Sequence, residues 1–249
     1  MAPGHARDTV VFGEEMSGRI IGVGVGPGDP ELMTLKAARL IATAPVVAYP
    51  VANGTSNRTR NIAEHLFGDA TIEMPFALPM TSDRKPAQDA YDLAADEISK
   101  HLENNQDVVV LCEGDPLFYG SFMYLAARLG DSFDVEIVPG ITSINAAAAR
   151  LQKPLAARSE SVAVMPATAR SELLQNAIEA HDTVIILKAG RHLGALRRTL
   201  DRLGLLDAAT LVTNVSTADE SVCPLAAAPE TASYFSLVHV SKGRDPWLT

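Results

Sequence analysis

No apolar run in this chain approaches the roughly 20 residues that a membrane-spanning helix needs, which excludes a helical membrane protein. Cysteine is scarce. Cys112 and Cys223 are far apart and have no metal-ligand spacing, so neither a zinc module nor a disulfide framework is expected. Cys112 lies inside an apolar run and reads as a small core residue. Positive charge is also short: 21 Lys and Arg stand against 30 Asp and Glu, a net charge of −9. That excludes the basic face of a nucleic-acid binder. A polyanionic small ligand stays open, because net charge does not fix the field of a local pocket. The first sixteen residues lack the apolar core of a signal peptide and carry Arg7, Asp8, Glu14 and Glu15. They read as a disordered tail, with Met16 a second candidate start. No internal repeat relates the halves.

The remainder is enough for a full core. The chain has 249 residues, 47% of them apolar, and needs no covalent staples. Arg19–Val25, Pro45–Tyr49, Thr71–Leu78, Val108–Cys112 and residues 135–138 read as strands. Thr34 is an N-cap signal for a helix over Leu35–Ala44. Ala87–Asn104 carries Tyr91, Ala94, Ala95, Ile98 and Leu102 on one stripe. Helices are expected over 119–129 and 143–151, polar turns over 51–61, and a loop over 79–86 containing Arg84 and Lys85. Gln152–Ala156 reads as a linker. Beyond it, strands at Ser161–Met165, Thr183–Lys188, Thr210–Val215 and Tyr234–Ser241 alternate with helices over 170–180 and 192–203. Strand–helix alternation implies mostly parallel sheets. The expected architecture is α/β: two α/β domains, 17–142 and 143–249, with a cleft between them.

Three strand ends carry the chemistry. They are Gly24-Val25-Gly26-Pro27-Gly28-Asp29, Glu113-Gly114-Asp115-Pro116 and Pro139-Gly140-Ile141-Thr142-Ser143. Each alone is an ordinary turn. Together they lie at the carboxyl ends of parallel strands, where open α/β sheets hold ligands. A nicotinamide dinucleotide site is not supported. Its fingerprint wants glycines at i, i+2 and i+5, and Pro27 or Asp29 stands at the last position. Pro27 and Pro30 also remove amide donors that a pyrophosphate would use. No lysine follows a glycine pattern suited to a P-loop.

Through these turns, the chain from Arg19 to about Val240 resembles the tetrapyrrole (precorrin) methylases, the class III S-adenosylmethionine-dependent methyltransferases. The resemblance rests on Gly26-Pro27-Gly28-Asp29-Pro30 leading into Leu35-Lys36-Ala37, on Gly114-Asp115-Pro116 and on Pro139–Ser143. Within the family, Leu111–Phe122, Tyr49-Pro50-Val51, Leu78-Pro79-Met80-Thr81, Ile186–His192 and Tyr234–Leu237 are similar to one branch. That branch methylates precorrin-2 at carbon 20 in cobalamin biosynthesis. The resemblance implies the tetrapyrrole methylase fold, a homodimer in the cytoplasm, a tetrapyrrole substrate, S-adenosyl-L-methionine as methyl donor and no metal site. It implies cofactor contacts at Gly26, Pro27, Glu113, Gly114, Asp115, Ser121, Thr142 and Ser143. Further contacts fall on Leu187, Lys188, Thr213, Asn214 and Val215. Lys188 departs from the apolar residue, often methionine, usual in relatives, and faces either adenosine or the acidic substrate. Thr217-Ala218 likewise replaces the family's Thr-Pro.

Methyl transfer from a sulfonium is an in-line displacement, so the protein's work is proximity and alignment. A proton must leave the ring afterwards, and Tyr119, Glu113 and water are the candidates to take it. A tetrapyrrole carries acetates and propionates, which suit cations. The candidates are Arg58, Arg84, Lys85 and Arg191, with Arg60, Arg150, Lys153 and His192 behind them. Two other readings remain: the same reaction on the cobalt-loaded ring, and a non-catalytic tetrapyrrole-binding protein on this fold.

Overall fold

The computed structural model describes residues 17–52, 57–79 and 84–243; the expected tail, 1–16, lies outside the described residues. The first half runs β1 (Ile20–Gly24), α1 (Leu35–Thr43), β2 (Val46–Ala52), α2 (Arg58–Ala63), β3 (Ile72–Leu78), α3 (Arg84–Glu103), β4 (Val108–Cys112), α4 (Phe122–Leu129), β5 (Val135–Val138) and α5 (Ser143–Leu151). Its five strands form one sheet in the order β3-β2-β4-β1-β5, every pairing parallel. β1 and β4 are buried along their whole length. Helices cover both faces of a parallel sheet, so its central strands read as unbroken apolar runs rather than alternating ones. Successive side chains still point to opposite faces. Val108, Val110 and Cys112 join Ile98, Leu102, Phe122 and Leu125 on one side. Val109 and Leu111 join Ala37, Ile41 and Ile62 on the other. Cys112 is buried, and burial pushes its thiol up to about 12. Both cysteines are free.

The second half runs β6 (Val162–Pro166), α6 (Ser171–Ala180), β7 (Thr183–Leu187), α7 (Leu193–Arg202), β8 (Ala209–Thr213), β9 (Ser221–Pro224) and β10 (Ser236–Ser241). Its sheet has the order β6-β7-β10-β8-β9. Here the expectation of parallel strands fails. β6 and β7 are parallel, but β10 inserts antiparallel between β7 and β8, and β9 is antiparallel to β8. The last strand follows β8 and the edge strand β9 and returns without a crossover helix, so alternation of strand and helix stops predicting direction there. α5 leaves the first sheet and packs on the second: Ile144, Ala146 and Ala147 cluster with Ile185, Val212, Val215 and Leu237.

Thr34 caps α1 as expected, its Oγ1 accepting from the Ala37 amide at 3.1 Å. Three local readings change. Residues 51–61 include the start of α2. α3 begins at Arg84, not after the loop, because Pro86 sits in the first turn, where a missing N–H costs nothing. α4 begins at Phe122; Tyr119 before it has φ 56° and cannot be helical.

Phe122 anchors the whole of α4. It is fully buried, and its ring lies on Gly22 so closely that an added Cβ there would meet ring atoms at 2.5 Å. Phe122→Ala should lower stability by about 3–5 kcal/mol, the usual cost of removing a buried aromatic. Urea unfolding followed by far-UV circular dichroism measures it, and a loss under about 1 kcal/mol would contradict this packing.

Candidate active site

β4, β1 and β5 are neighbours in the sheet, so the turns after them converge. They meet backbone against backbone. The Gly114 amide donates to the Gly26 carbonyl at 2.8 Å, and the Val25 amide to the Cys112 carbonyl at 2.9 Å. A Cβ on Gly24 would lie 2.6 Å from the Gly140 Cα, and one on Gly140 would lie 2.0 Å from the Gly114 carbonyl oxygen. Gly26 and Gly114 also have φ of 82° and 69°, a region that glycine enters without penalty. Asp115 ties two of the turns together. Its Oδ1 accepts from the Leu117 amide at 2.9 Å and its Oδ2 from the Gly140 amide at 3.1 Å.

Above these turns lies a cavity of about 200 Å³, far more than the ~10–15 Å³ one water occupies. Its wall comes from both halves. The first half supplies Pro27, Arg58, Glu113, Gly114, Asp115 and Tyr119, and the second adds the ends of β7, β8 and β10. Leu187, Val212, Val215 and Leu237 make one side apolar, and Ser236 presents a buried Oγ with no hydrogen-bond partner. Among the described residues, no three His, Cys, Asp or Glu gather where they could hold a metal ion.

Arg58 joins the halves. Its Nη1 donates to Asn214 Oδ1 at 3.2 Å and its Nη2 to the Pro27 carbonyl at 3.0 Å. The guanidinium carbon stands 4.3 Å from the centre of the Phe235 ring, a cation–π contact. Its Nε lies 3.1 Å from Glu113 Oε1, yet that N–H is not aimed at the oxygen and makes no hydrogen bond. The pair is therefore a charge contact without directional support. Burial pushes the Glu113 carboxyl up to about 7, and the positive charge of Arg58 only partly opposes this. α2 is held outward by Arg60, which pairs with Glu64 and Glu73. Arg60 and Tyr49 together hold the Glu73 carboxyl near 2.

Strained backbone clusters here. Tyr119, Lys188, Asn214 and Ser216 all have positive φ without being glycine, four of the seven such residues described. Such conformations persist where the surrounding structure over-determines them, typically at ligand sites. Among the residues singled out from the sequence, Pro27, Arg58, Glu113, Gly114, Asp115, Tyr119, Thr142, Ser143, Leu187, Lys188 and Val215 line the cavity. Gly26 lies directly behind Gly114, and Thr213 and Asn214 flank the wall. Ser121 does not reach it; its hydroxyl sits by the Tyr91 phenol. The loop cations are not brought to the cleft. Lys85 is in α3 and pairs with Asp89, the side chain of Arg84 lies outside the described residues, and Arg191 is exposed elsewhere. Arg150 pairs with Glu220. Sequence reading missed Val212 and the run Tyr234–Leu237 as wall residues. The aromatic doublet Tyr234-Phe235 was the available signal.

A family model for tetrapyrrole (corrin/porphyrin) methylases matches residues 19–228. The chain belongs to this family. A precorrin-2 C(20)-methyltransferase of Sinorhizobium sp is 37% identical over 237 residues, covering 92% of this chain and 97% of that protein. A cobalt-precorrin-2 C(20)-methyltransferase of Salmonella typhimurium is 27% identical over 202 residues, covering 81% and 85%. A solved uroporphyrin-III C-methyltransferase from Thermus thermophilus, complexed with S-adenosyl homocysteine, is similar with a TM-score of 0.66 and 25% identity. The similarity covers 90% of this chain and 97% of that one. This tetrapyrrole methylase thus shares its fold with that protein along nearly its whole length, and its own glycine turns and cleft lie where its two sheets meet.

Asp115→Asn tests the join. An asparagine can keep one backbone amide bond but turns an N–H donor toward the other amide. We expect a loss of about 1 kcal/mol, the lower end of the cost of an unsatisfied donor, because the site is only partly buried. Thermal unfolding of the variant against wild type measures it; equal midpoints would show that Asp115 does not hold the two turns.

Proposed function

We propose that this tetrapyrrole methylase transfers a methyl group from S-adenosyl-L-methionine to carbon 20 of precorrin-2, giving precorrin-3A in cobalamin biosynthesis. The observation that carries the reading is the single cleft into which all three glycine turns open, in a chain like the Sinorhizobium C(20)-methyltransferase over 92% of its length. The weaker likeness to the cobalt-precorrin-2 enzyme, 27% against 37%, favours the metal-free ring. The intact glycine turns opening into one cleft weigh against a non-catalytic binding protein.

The cleft residues suit the cofactor. Bare backbone at Gly114 lets a ligand approach, since an added Cβ there meets nothing nearer than Thr142 Cα at 3.9 Å. Leu187, Val212, Val215 and Leu237 suit a flat apolar ring, and the orphaned Ser236 Oγ suits a polar group on it. Glu113 and Asp115 are carboxyls for the cationic end. The cofactor supplies a methyl group on a sulfonium whose leaving group is a neutral thioether. The chain's task is to align the acceptor carbon with that methyl and to remove a proton. Glu113 is the residue we assign to that proton, because it is half-buried, lines the cavity and has its carboxyl raised to about 7. A general base is most useful with a pKa near working pH. Tyr119, held in its strained conformation over the same cavity, we assign to seating the tetrapyrrole face.

The proposed unit boundaries are 17–142 and 143–249, and the proposed working form is a cytoplasmic homodimer. No described helix is long and apolar enough to cross a membrane. Leu35 is 90% exposed and Leu93 69%, apolar surface of the kind that a second copy covers.

Incubation with precorrin-2 and a carbon-13 methyl donor should give one new methyl, located at carbon 20 by NMR. A methyl elsewhere, or transfer only to the cobalt-loaded ring, would overturn the substrate assignment. A base must be ionised to act, so kcat should rise with pH through a midpoint near 7, and Glu113→Gln should lose that limb. A limb unchanged in the variant would remove Glu113 from proton transfer.

A further inference from the structure

Two cations line the described wall of the cleft, Arg58 and Lys188. They differ in what surrounds them. Arg58 bridges the halves through Asn214, the Pro27 carbonyl, Glu113 and the Phe235 ring. A ligand anion drawing on it would compete with the join between the halves. Lys188 has no carboxylate within ion-pair distance among the described residues. Its Nζ stands 5.4 Å from the Tyr119 ring centre and 6.0 Å from that of Tyr234. At those distances the rings steady the charge and satisfy none of its three N–H donors.

The position is also rigid. Lys188 sits at the end of β7 with φ 58° and ψ 36°. The turn after it is locked: the Ala232 amide donates to the Gly190 carbonyl at 2.9 Å, and a Cβ on Gly190 would meet the Ser233 carbonyl oxygen at 2.3 Å. A half-buried ammonium held in a costly backbone conformation, unpaired and aimed between two ring faces, is prepared for an anion that arrives with the ligand. Tyr119 and Tyr234 are each 47% exposed, so this anion site is at the mouth of the cleft and not on its glycine floor.

We infer that Lys188 is a specificity-determining residue that pairs with a peripheral carboxylate of the tetrapyrrole, an assignment that rests on the methyltransferase reading above. The other source of the same chemistry is the methionyl carboxylate of the cofactor. The placement at the exposed aromatic mouth favours the ring's side chains. Tyr119 and Tyr234, one from each half, then bracket the charged edge of the substrate while Lys188 holds it. Discrimination follows directly: a tetrapyrrole lacking a carboxylate at that edge leaves a half-buried ammonium unpaired.

The test uses the full chain and its variants Lys188→Met and Lys188→Arg. Methionine keeps an unbranched side chain on the same backbone and removes only the charge. Lys188→Met should raise KM for precorrin-2 by about 10- to 100-fold, the worth of a charge-assisted hydrogen bond, with kcat preserved. Calorimetric affinity for S-adenosylhomocysteine should stay within about twofold of wild type, which also certifies the fold. Lys188→Arg should recover most of the lost KM. An unchanged KM in Lys188→Met overturns the inference. So does a fall in S-adenosylhomocysteine affinity at unchanged KM, which would give the lysine to the cofactor. A stable octacarboxylate porphyrin, titrated by fluorescence quenching, separates this inference from the reading beneath it. If wild type methylates neither form of precorrin-2, that reading fails and Lys188 is judged on the porphyrin. Weaker binding by Lys188→Met then supports the site, and affinity equal to wild type overturns it.

Discussion

The contact between bare backbones at the ends of β4, β1 and β5 is the constraint on which the remaining site depends. Three parallel strands in adjacent positions end at one edge, and their turns must pass within van der Waals distance of one another. At Gly24 and Gly140 only residues without Cβ fit, and the Gly114 carbonyl beside Gly140 leaves no tolerance at all. Because the turns touch, one carboxylate, Asp115, can bridge two of them, and a ligand resting on one turn is placed relative to all three.

The second constraint is how charge is distributed in an acidic protein with a buried cleft. The described ion pairs mostly lie at the surface, where each is worth little. Arg58 is different: it is shielded, and two of its donors and its flat face are divided among groups from both halves. It serves as a fastener for the join, and that leaves Glu113 with a poorly aimed partner and a carboxyl raised to about 7. A carboxyl in that state is of use in catalysis because it changes charge within the working range of pH. Lys188 is the complementary case, a cation whose surroundings neutralise nothing. The cleft therefore holds one engaged cation, one poised acid and one unpaired cation within a single wall.

Much of the first half was legible in the chain itself. Continuous apolar runs such as Ile20–Gly24 and Val108–Cys112 are the mark of a doubly covered parallel sheet, and Thr34 announces its helix by a local bond. The second half was less legible. β9 is short and mostly exposed, and β10 joins the sheet between two earlier strands, a placement with no local signature. His239 shows the limit well. It sits fully buried in β10 with both ring nitrogens unpartnered, and burial lowers it to about 4. Nothing in the neighbouring residues announces a neutral core histidine.

Sequence alone marked where the backbone is bare: Gly26 and Gly114 take positive φ, which glycine enters without penalty, while Gly24 and Gly140 answer to the approach of neighbouring turns. It also determined the strand ends from which a ligand site would be built, and through them the family. Tertiary structure decided what each charged side chain does. Arg58 and Asn214 are 156 positions apart in the chain, and their contact turned an expected substrate cation into a fastener. Lys85 and Arg191 look equally suitable in sequence, yet the fold leaves Lys85 on a helix surface paired with Asp89 and Arg191 in an exposed turn away from the cavity. The physical reason is range. A turn's conformation is set by a few adjacent residues, whereas the partner, burial and pKa of a charge depend on groups that only folding brings near it.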